Sequence, residues 1–317
     1  MAKNELRKKI LTHAYTYGFQ KNGKKLEDIL NIKKNTLDYT LEKLEKEKYF
    51  SRMRYEINFD SIGLGRFAWI FVSVNWDNFD FNKFVEKALS IPQVGVVADI
   101  TGEFDLALKI VGPSIQSINS FVLGFEKIFE DVISNTKIYF ANKEYKRHYL
   151  ETPKKNKLIL SEIDYKILCE KNQNPKLSIF EISQKLKLHR NTVSNKWKSY
   201  LENKVILKKT IELTPQGYDE IGLGLKAFII LKPCPGKIED IAKQLCAVDE
   251  IQDLFTTLSN EIVVITRVPN SEELAYFYKK FSKIKGCIKS TTTIIFLSKH
   301  TKTCMSLAEI SKIIDIK

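Results

Sequence analysis

The sequence contains no apolar run approaching the ~20 residues that span a bilayer, and Met1-Ala2-Lys3-Asn4-Glu5 leads toward a charged helix instead of a signal peptide. Membrane and exported classes are not expected. Cysteine is sparse: Cys169, Cys234, Cys246, Cys287 and Cys304 are scattered, odd in number and without zinc-knuckle spacing. That set argues against a secreted disulfide framework, so reduced thiols, a cytoplasmic location and no structural metal are expected. Histidine is limited to His13, His148, His189 and His300. Two of these fall in helical segments, one in a linker and one after the last strand, so none sits in a sheet or hairpin. No nucleophile–base pair, paired-carboxylate set or phosphate loop stands out. Gly63 and Gly65 begin no G-x-G-x-x-G series, because position 68 is alanine. Neither catalytic residues nor a cofactor are expected, and the protein reads as a non-enzyme.

What is present is a duplication. Ile62-Gly63-Leu64-Gly65 recurs as Ile221-Gly222-Leu223-Gly224, and Asn35-Thr36 recurs as Asn191-Thr192. A repeat of about half the chain means two copies of a two-part module, not a solenoid. At 317 residues, each part is long enough to bury its own core. The net charge of +13 is unevenly placed: residues 1–60 carry +5, 61–141 carry −3, 142–220 carry +7 and 221–317 carry +4. The basic excess lies mainly in the helical part of each copy, as expected of surfaces that displace counterions from phosphate.

In the second copy Ile163, Ile167 and Leu168 share one helical face. Pro175 ends the segment, Ser178 caps the next helix with Glu181 at capping-box distance, and Ile179, Ile182 and Leu186 face inward. After Lys187-Leu188-His189-Arg190, a third helix buries Val193, Trp197, Tyr200 and Leu201. Three helices with a short second turn make a helix-turn-helix. Two short strands, Val205–Leu207 and Thr210–Leu213, would flank Lys208-Lys209 as a wing. The first copy matches through Leu6, Ile10, Leu11, then Leu26, Leu30, Ile32, then Leu37, Leu41 and Leu44.

In such a unit the third helix enters the major groove and its first residues reach base edges. The candidate DNA contacts are Lys33, Lys34, Asn35, Thr36 and Tyr39 in copy one, and His189, Arg190, Asn191, Thr192 and Asn195 in copy two. Arg190 suits guanine and Asn195 adenine, whereas Lys33 and Lys34 suit phosphate. Asn35 and Asn191 would serve equally as helix caps. Lys46, Lys48, Arg52, Arg54, Lys204, Lys208 and Lys209 are expected on the DNA backbone. The two readers differ at most base-reaching positions.

Each helical part is followed by a βαββαβ pattern, the ferredoxin-like split motif. In copy one the strands are Arg66–Val74, Val94–Ile100, Phe104–Val111 and Thr136–Phe140, with helices bearing Phe81, Phe84, Val85, Ala88, Leu89 and Ile115, Ile118, Phe121, Val122, Phe125. In copy two the order repeats from Ala227–Leu231 to Thr292–Leu297. Phe67 and Trp69 occupy the sheet face without helices, which the second copy would cover.

Each half resembles a regulator of the Lrp/AsnC (feast/famine) family, and the resemblance spans nearly the whole chain twice. Its most specific segment is Val97-Ala98-Asp99-Ile100-Thr101-Gly102-Glu103-Phe104-Asp105-Leu106, similar to the family's Thr-Gly-x-x-Asp hairpin. The resemblance implies that Thr101, Gly102 and Asp105 bind a small amino-acid-like effector at a subunit interface. Gly102 permits positive φ, and Asp105 could hold an ammonium. The equivalent Thr256-Thr257-Leu258-Ser259-Asn260-Glu261 lacks the glycine, so an effector site is not expected there. The resemblance also has an enzymatic branch, the siroheme decarboxylases, which are expected to place histidines or arginines at the body's cavity.

The expected class is α+β, with two winged helix-turn-helix domains alternating with two ferredoxin-like domains. Boundaries fall at 1–60, 61–141, a basic linker 142–157, 158–220, 221–300 and an amphipathic tail 301–317. The function expected is sequence-specific binding of double-stranded DNA by a transcription regulator, as a homodimer or larger homo-oligomer. The alternatives are a decarboxylase-like enzyme of the same architecture or a scaffold that has lost DNA affinity.

Overall fold

The computed structural model describes residues 3–21, 23–151, 160–281, 284, 288–297, 300–301 and 313. The first head comprises α1 (Lys3–Thr16), a small hairpin of β1 (Gln20–Lys21) and β2 (Lys24–Lys25), α2 (Leu26–Ile29) and α3 (Lys34–Lys46), followed by β3 (Phe50–Ile57). Leu37, Leu41 and Leu44 recur at helical spacing on α3 and are buried. The first body follows: β4 (Arg66–Val74), α4 (Phe81–Ser90), β5 (Val94–Thr101), β6 (Leu106–Gly112), α5 (Ile115–Ile128), β7 (Ile133–Arg147) and β8 (Leu150–Glu151).

The second head holds α6 (Glu162–Gln173), α7 (Ile179–Lys185), α8 (Arg190–Glu202), β9 (Ile206–Leu213) and α9 (Pro215–Glu220). The second body is β10 (Leu225–Pro233), α10 (Ile238–Cys246), β11 (Ile251–Thr257), β12 (Ile262–Val268), α11 (Ser271–Phe281), β13 (Ile288–Phe296) and β14 (His300–Thr301). Ser178 and Glu181 form the expected capping box at α7. Ile163, expected to face inward, is 39% exposed. Tyr165 is buried instead, and its hydroxyl donates to the Ile62 carbonyl at 3.1 Å.

Each body has the ferredoxin-like order, β5-β6-β4-β7 and β11-β12-β10-β13. The two sheets close on each other at both edges. β7 runs past its own sheet and pairs with β11 from Ala141↔Thr257 to Lys146↔Leu254. At the other seam β13 meets β5 through Ile295↔Thr101 and Phe296↔Ile100, and β14 adds His300↔Val97. The result is an eight-stranded ring whose two principal seams are paired. Its interior is aromatic: Phe71 packs on Phe228 and Phe67 on Phe255, each at 5.0 Å, with Trp69 5.6 Å from Phe228. The chain therefore covers its own open sheet faces, with α4 and α5 outside one sheet and α10 and α11 outside the other.

The heads are exchanged. β3 pairs along its length with β9 from the other copy, Phe50↔Leu213 to Ile57↔Ile206. Ile211 and Leu213 thereby complete the first head's core with Ile10, Leu11, Leu41 and Leu44. Tyr55 and Ile57 pack against the core that contains Tyr165, Ile182, Val193 and Tyr200. Trp197 lies edge-on to Tyr55 at 5.1 Å, as packing and not as a base platform.

Three expectations are corrected here. The wing expected as two strands around Lys208-Lys209 is one continuous strand, because those residues pair with Glu56 and Tyr55 of the other copy. Residues 142–147, expected as linker, are strand, since Lys143 to Lys146 carry the β11 pairing. Cys234 is disulfide-bonded, which departs from the expectation of reduced thiols. The remainder of the expected linker, residues 152–157, lies outside the described residues, as does most of the tail.

Candidate functional site

The reading surfaces are built from the start of α3 and α8. Lys33, Lys34, Asn35, Thr36 and Tyr39 are all exposed, Tyr39 at 66%. His189, Arg190, Asn191, Thr192 and Asn195 are exposed as well. The fold buries one face of each helix and leaves the other to solvent. The capping role considered for Asn35 and Asn191 falls elsewhere: Lys33 is the N-cap of α3, and His189 caps α8 by accepting from the Asn191 N–H at 3.3 Å. Both asparagines therefore sit inside the first helical turn. The heads are tied near their surface by an ion pair between Lys176 and Glu45 at 3.0 Å.

Several cations expected on DNA point elsewhere. Lys208 is buried, and its ammonium donates to the carbonyls of Thr16 (2.6 Å), His148 (3.0 Å) and Tyr15 (3.3 Å). Burial pushes its pKa down to about 7 despite the attraction of Glu56. Its side chain is drawn inward because the end of α1, which packs on β9, and the β7–β8 turn present these carbonyls to it. Lys209 is half-buried, with Nζ 5.3 Å from the Phe19 ring, and burial lowers its pKa also. Arg52 pairs with Glu212 at 2.8 Å and Arg54 with Glu56 at 3.1 Å along the exchanged ribbon.

The hairpin of the resemblance turns as expected. Gly102 has φ 127, and it and Thr101 are exposed. Thr101 also forms part of the seam with β13. Asp105 is differently engaged: its carboxylate accepts from the Val74 N–H at 2.9 Å, so the expected ammonium-holding group already serves the backbone. In copy two Asn260 supplies the turn with φ 60.

A polar cavity of about 210 Å3 lies where the first head meets the second body. Its wall includes Tyr15 from α1, Arg54 from β3, His148 from the β7–β8 turn, Tyr218 from α9, and Lys226, Gln252 and Arg267 from the second sheet. His148 and Tyr149 form a two-residue turn with φ of 48 and 66, a conformation that costs non-glycine residues energy and persists only where neighbours enforce it. The neighbours are clear. The His148 N–H donates to Asp253 at 2.9 Å and the Tyr149 N–H to the Gln252 carbonyl at 2.8 Å. Gln252 Nε2 lies 3.0 Å from His148 Nδ1 and donates to the Tyr15 hydroxyl at 3.2 Å. Burial, followed by the neighbouring tyrosines, raises the Tyr15 pKa well above the usual phenol range. The Arg267 guanidinium stacks 3.6 Å from the Tyr218 ring and donates to the Leu223 carbonyl at 3.0 Å.

As a group these residues escaped the sequence reading because they come from seven separate places in the chain, six elements and the β7–β8 turn. His148 in particular was assigned to a linker, but it sits in the β7–β8 hairpin turn, 6% exposed against the second sheet, and His300 lies in β14 paired with Val97, so the expectation that no histidine sits in a sheet or hairpin is corrected. One signal was available. Register places Phe67 opposite Val111 in the first body, and Lys226 opposite Arg267 in the second. Charges at inward positions that the other copy fills with apolar groups mark a change of use.

Comparison with known proteins places this architecture. The family model described as the Lrp/AsnC ligand binding domain matches residues 70–150. The HTH-type transcriptional regulator FL11 of Pyrococcus furiosus is 33% identical over 146 residues, covering 46% of this chain and 94% of that protein. Its namesake in Pyrococcus abyssi is 32% identical over 45% of this chain and 93% of its own length. The chain belongs to the Lrp/AsnC family. Since one such relative accounts for less than half the chain, the length matches two family units. A solved structure of the siroheme decarboxylase NirDL, in complex with an iron-uroporphyrin III analogue, aligns over 96% of this chain and 95% of that one, with TM-score 0.61 and 14% identity. At that identity the likeness speaks for the double fold alone. Among the described residues no helix is long and apolar enough to cross a membrane.

Proposed function

We propose that this Lrp/AsnC-family protein is a sequence-specific, double-stranded-DNA-binding transcription regulator that carries two unlike readers in one chain. The observation that carries the reading is the exposure of both helix starts, Lys33 to Thr36 with Tyr39 and His189 to Thr192 with Asn195, in a fold that buries the opposite helix faces. Relatives named as HTH-type regulators match over nearly their full length, which supports it. The basic excess of residues 1–60 and 142–220 adds the sequence-independent attraction to phosphate. A small amino-acid-like effector acting through Thr101 and Gly102, and association into a homodimer or larger homo-oligomer, belong to the same proposal.

A second reading, a decarboxylase-like enzyme, is favoured by one observation: buried His148 and Arg267 share a cavity. At about 210 Å3 this cavity is smaller than the ~300–1,000 Å3 of drug-sized ligand sites, which favours a small ligand in it. The regulator reading is preferred on the exposed helix starts and the regulators matched over nearly their full length. The test is a gel shift on the protein's own upstream DNA at two salt concentrations, with Arg190→Ala alongside. Salt-sensitive binding weakened by the substitution supports the regulator. Tight tetrapyrrole uptake with a spectral change and no DNA binding would overturn it in favour of the enzyme, and absence of both would leave a scaffold.

A further inference from the structure

The two ends of the strand ring are closed differently. At one end Phe67 and Val111 continue the apolar interior into Ile62, Leu64, Leu160, Tyr165 and the second head, as one uninterrupted core. At the other end the register-equivalent pair is Lys226 and Arg267. There the first head's core is separate from the ring interior that Phe228, Ile230 and Phe255 share, and the cavity lies where the first head meets the second sheet. Gln252 lines it from a bulge in β11, and the matching bulge in β5 falls at Gly95, which has no side chain. Three positions that are apolar or empty in one copy thus carry polar groups in the other, all on one cavity.

Two of those groups are incompletely used. Arg267 is 7% exposed; its Nη1 donates to the Leu223 carbonyl, but its Nε has no hydrogen-bond partner among the described residues. Gln252 is also 7% exposed, and its Oε1 has no partner. Buried polar atoms left in this state are costly, which a fold tolerates where something else satisfies them. A guanidinium held flat on Tyr218 keeps its fork fixed, the geometry that takes a carboxylate. Lys226 adds positive charge to the wall, whereas Arg54 is already paired with Glu56 and Glu212 with Arg52; Asp219 is the other carboxylate of the lining. About seven waters would fill the volume at about 30 Å3 each, the scale of a small organic molecule.

We propose that this cavity binds a small carboxylate-bearing molecule, with its carboxylate on Arg267 and a donor group on Gln252 Oε1. The bound molecule joins the first head to the second body, because Tyr15 and Tyr218 line one side and Arg267 and Gln252 the other. It thereby sets the position of the first reading helix, through its different affinity for docked and undocked heads. The site is separate from the Thr101–Gly102 turn, and its regulatory consequence rests on the regulator reading above.

The test uses the full-length protein, with thermal unfolding measured in millimolar L-amino acids, succinate and 2-oxoglutarate, and with succinamide as the neutral control. At least one carboxylate raises the melting temperature, succinamide does not, and Arg267→Met weakens the apparent affinity at least tenfold. Gln252→Leu, which keeps the arginine and its packing, gives a smaller loss and guards against a misfolded arginine variant. Stabilisation by none of the carboxylates, or equal stabilisation of wild type and both variants, overturns the site. A parallel gel shift separates the two readings. DNA binding without any carboxylate effect refutes only the cavity proposal, and carboxylate binding without DNA binding refutes only the regulator.

Discussion

Ile211 belongs to the second copy by position but to the first head by packing, so its removal discriminates the exchanged arrangement from two self-contained heads. The side chain is fully buried and shares a cluster with Ile10, Leu11, Ala14, Leu41 and Leu44. Ile211→Ala deletes three carbons, worth about 0.8 kcal/mol each in transfer free energy. The cavity left behind adds to that, and buried isoleucine-to-alanine changes cost about 2–5 kcal/mol. A central value of about 3 kcal/mol corresponds to roughly two decades in a local opening equilibrium. Hydrogen exchange of the intact protein is the assay, because it reports opening segment by segment. Peptides from α1 and α3 gain exchange, and those from α6 and α8 stay near wild type. Ile206 sits at the other end of the same strand in the core shared with Tyr165 and Val193, so Ile206→Ala loosens the second head instead. Faster exchange in α6 and α8, with α1 and α3 unchanged in the Ile211 variant, would refute the exchange of strands.

Lys208 gives a pH signature. Its unfolded pKa of 10.5 falls to about 7 in the fold, so between those values the unfolded state holds the extra proton and stability rises with pH. The full effect is at most roughly 5 kcal/mol at about 1.36 kcal/mol per pH unit, absent as a slope below about pH 7, and Lys208→Met flattens it in urea unfolding across the window. Asp164 acts oppositely. Burial opposes its charge, but hydrogen bonds from Lys196, Ser161 and Tyr200 together lower its pKa. Its contribution is therefore present above the ordinary carboxylate range and lost as pH falls through the lowered value, and Asp164→Ala removes about 1.5–3 kcal/mol with that acid dependence. Gly217 sits where a Cβ would lie 1.9 Å from the Tyr49 carbonyl oxygen. Gly217→Ala must push α9 off the first head, at about 1–3 kcal/mol in thermal unfolding; wild-type stability would show that the close approach is wrong.

Periodicity made the helices and the order of the bodies readable, because Leu37, Leu41 and Leu44 or Ile118, Val122 and Phe125 can be buried in only one way. The unpartnered sheet face was equally legible, since Phe67, Trp69 and Phe71 alternate with Ala68, Ile70 and Val72 and both sets are buried. Pairing partners were not legible. A strand pattern records which faces are apolar and is silent on which strand lies alongside, so the β9 segment looked like material for a local wing. The same limit hid the extension of β7, whose Lys143-Glu144-Tyr145-Lys146-Arg147 reads as solvated charge. Yet Lys146 donates to the Val248 carbonyl at 2.9 Å, and Arg147 is buried against Glu144 at 2.7 Å. Lysine and arginine stems can be buried when carbonyls or carboxylates meet the charge, and no local spacing reports that. The reading helices were legible because exposure there follows from the opposite stripe being core. The cavity was not, since Tyr15, Arg54, His148, Tyr218, Gln252 and Arg267 converge only after the ring has closed.

Fusion and strand exchange together account for the asymmetry of the molecule. In a pair of identical subunits, a polar substitution at the end of the sheet would appear at both ends of the ring. Here Lys226 and Arg267 change one end, while Phe67 and Val111 keep the other welded to the second head. The exchanged ribbon runs β3 to β9 between the heads, so a head that shifts at the polar end must strain a pairing shared with the head that is fixed. A joint with one welded end and one hollow end confines movement to the first head. It also leaves the Arg190-bearing helix on the rigid side, where its position relative to the ring depends least on what fills the cavity.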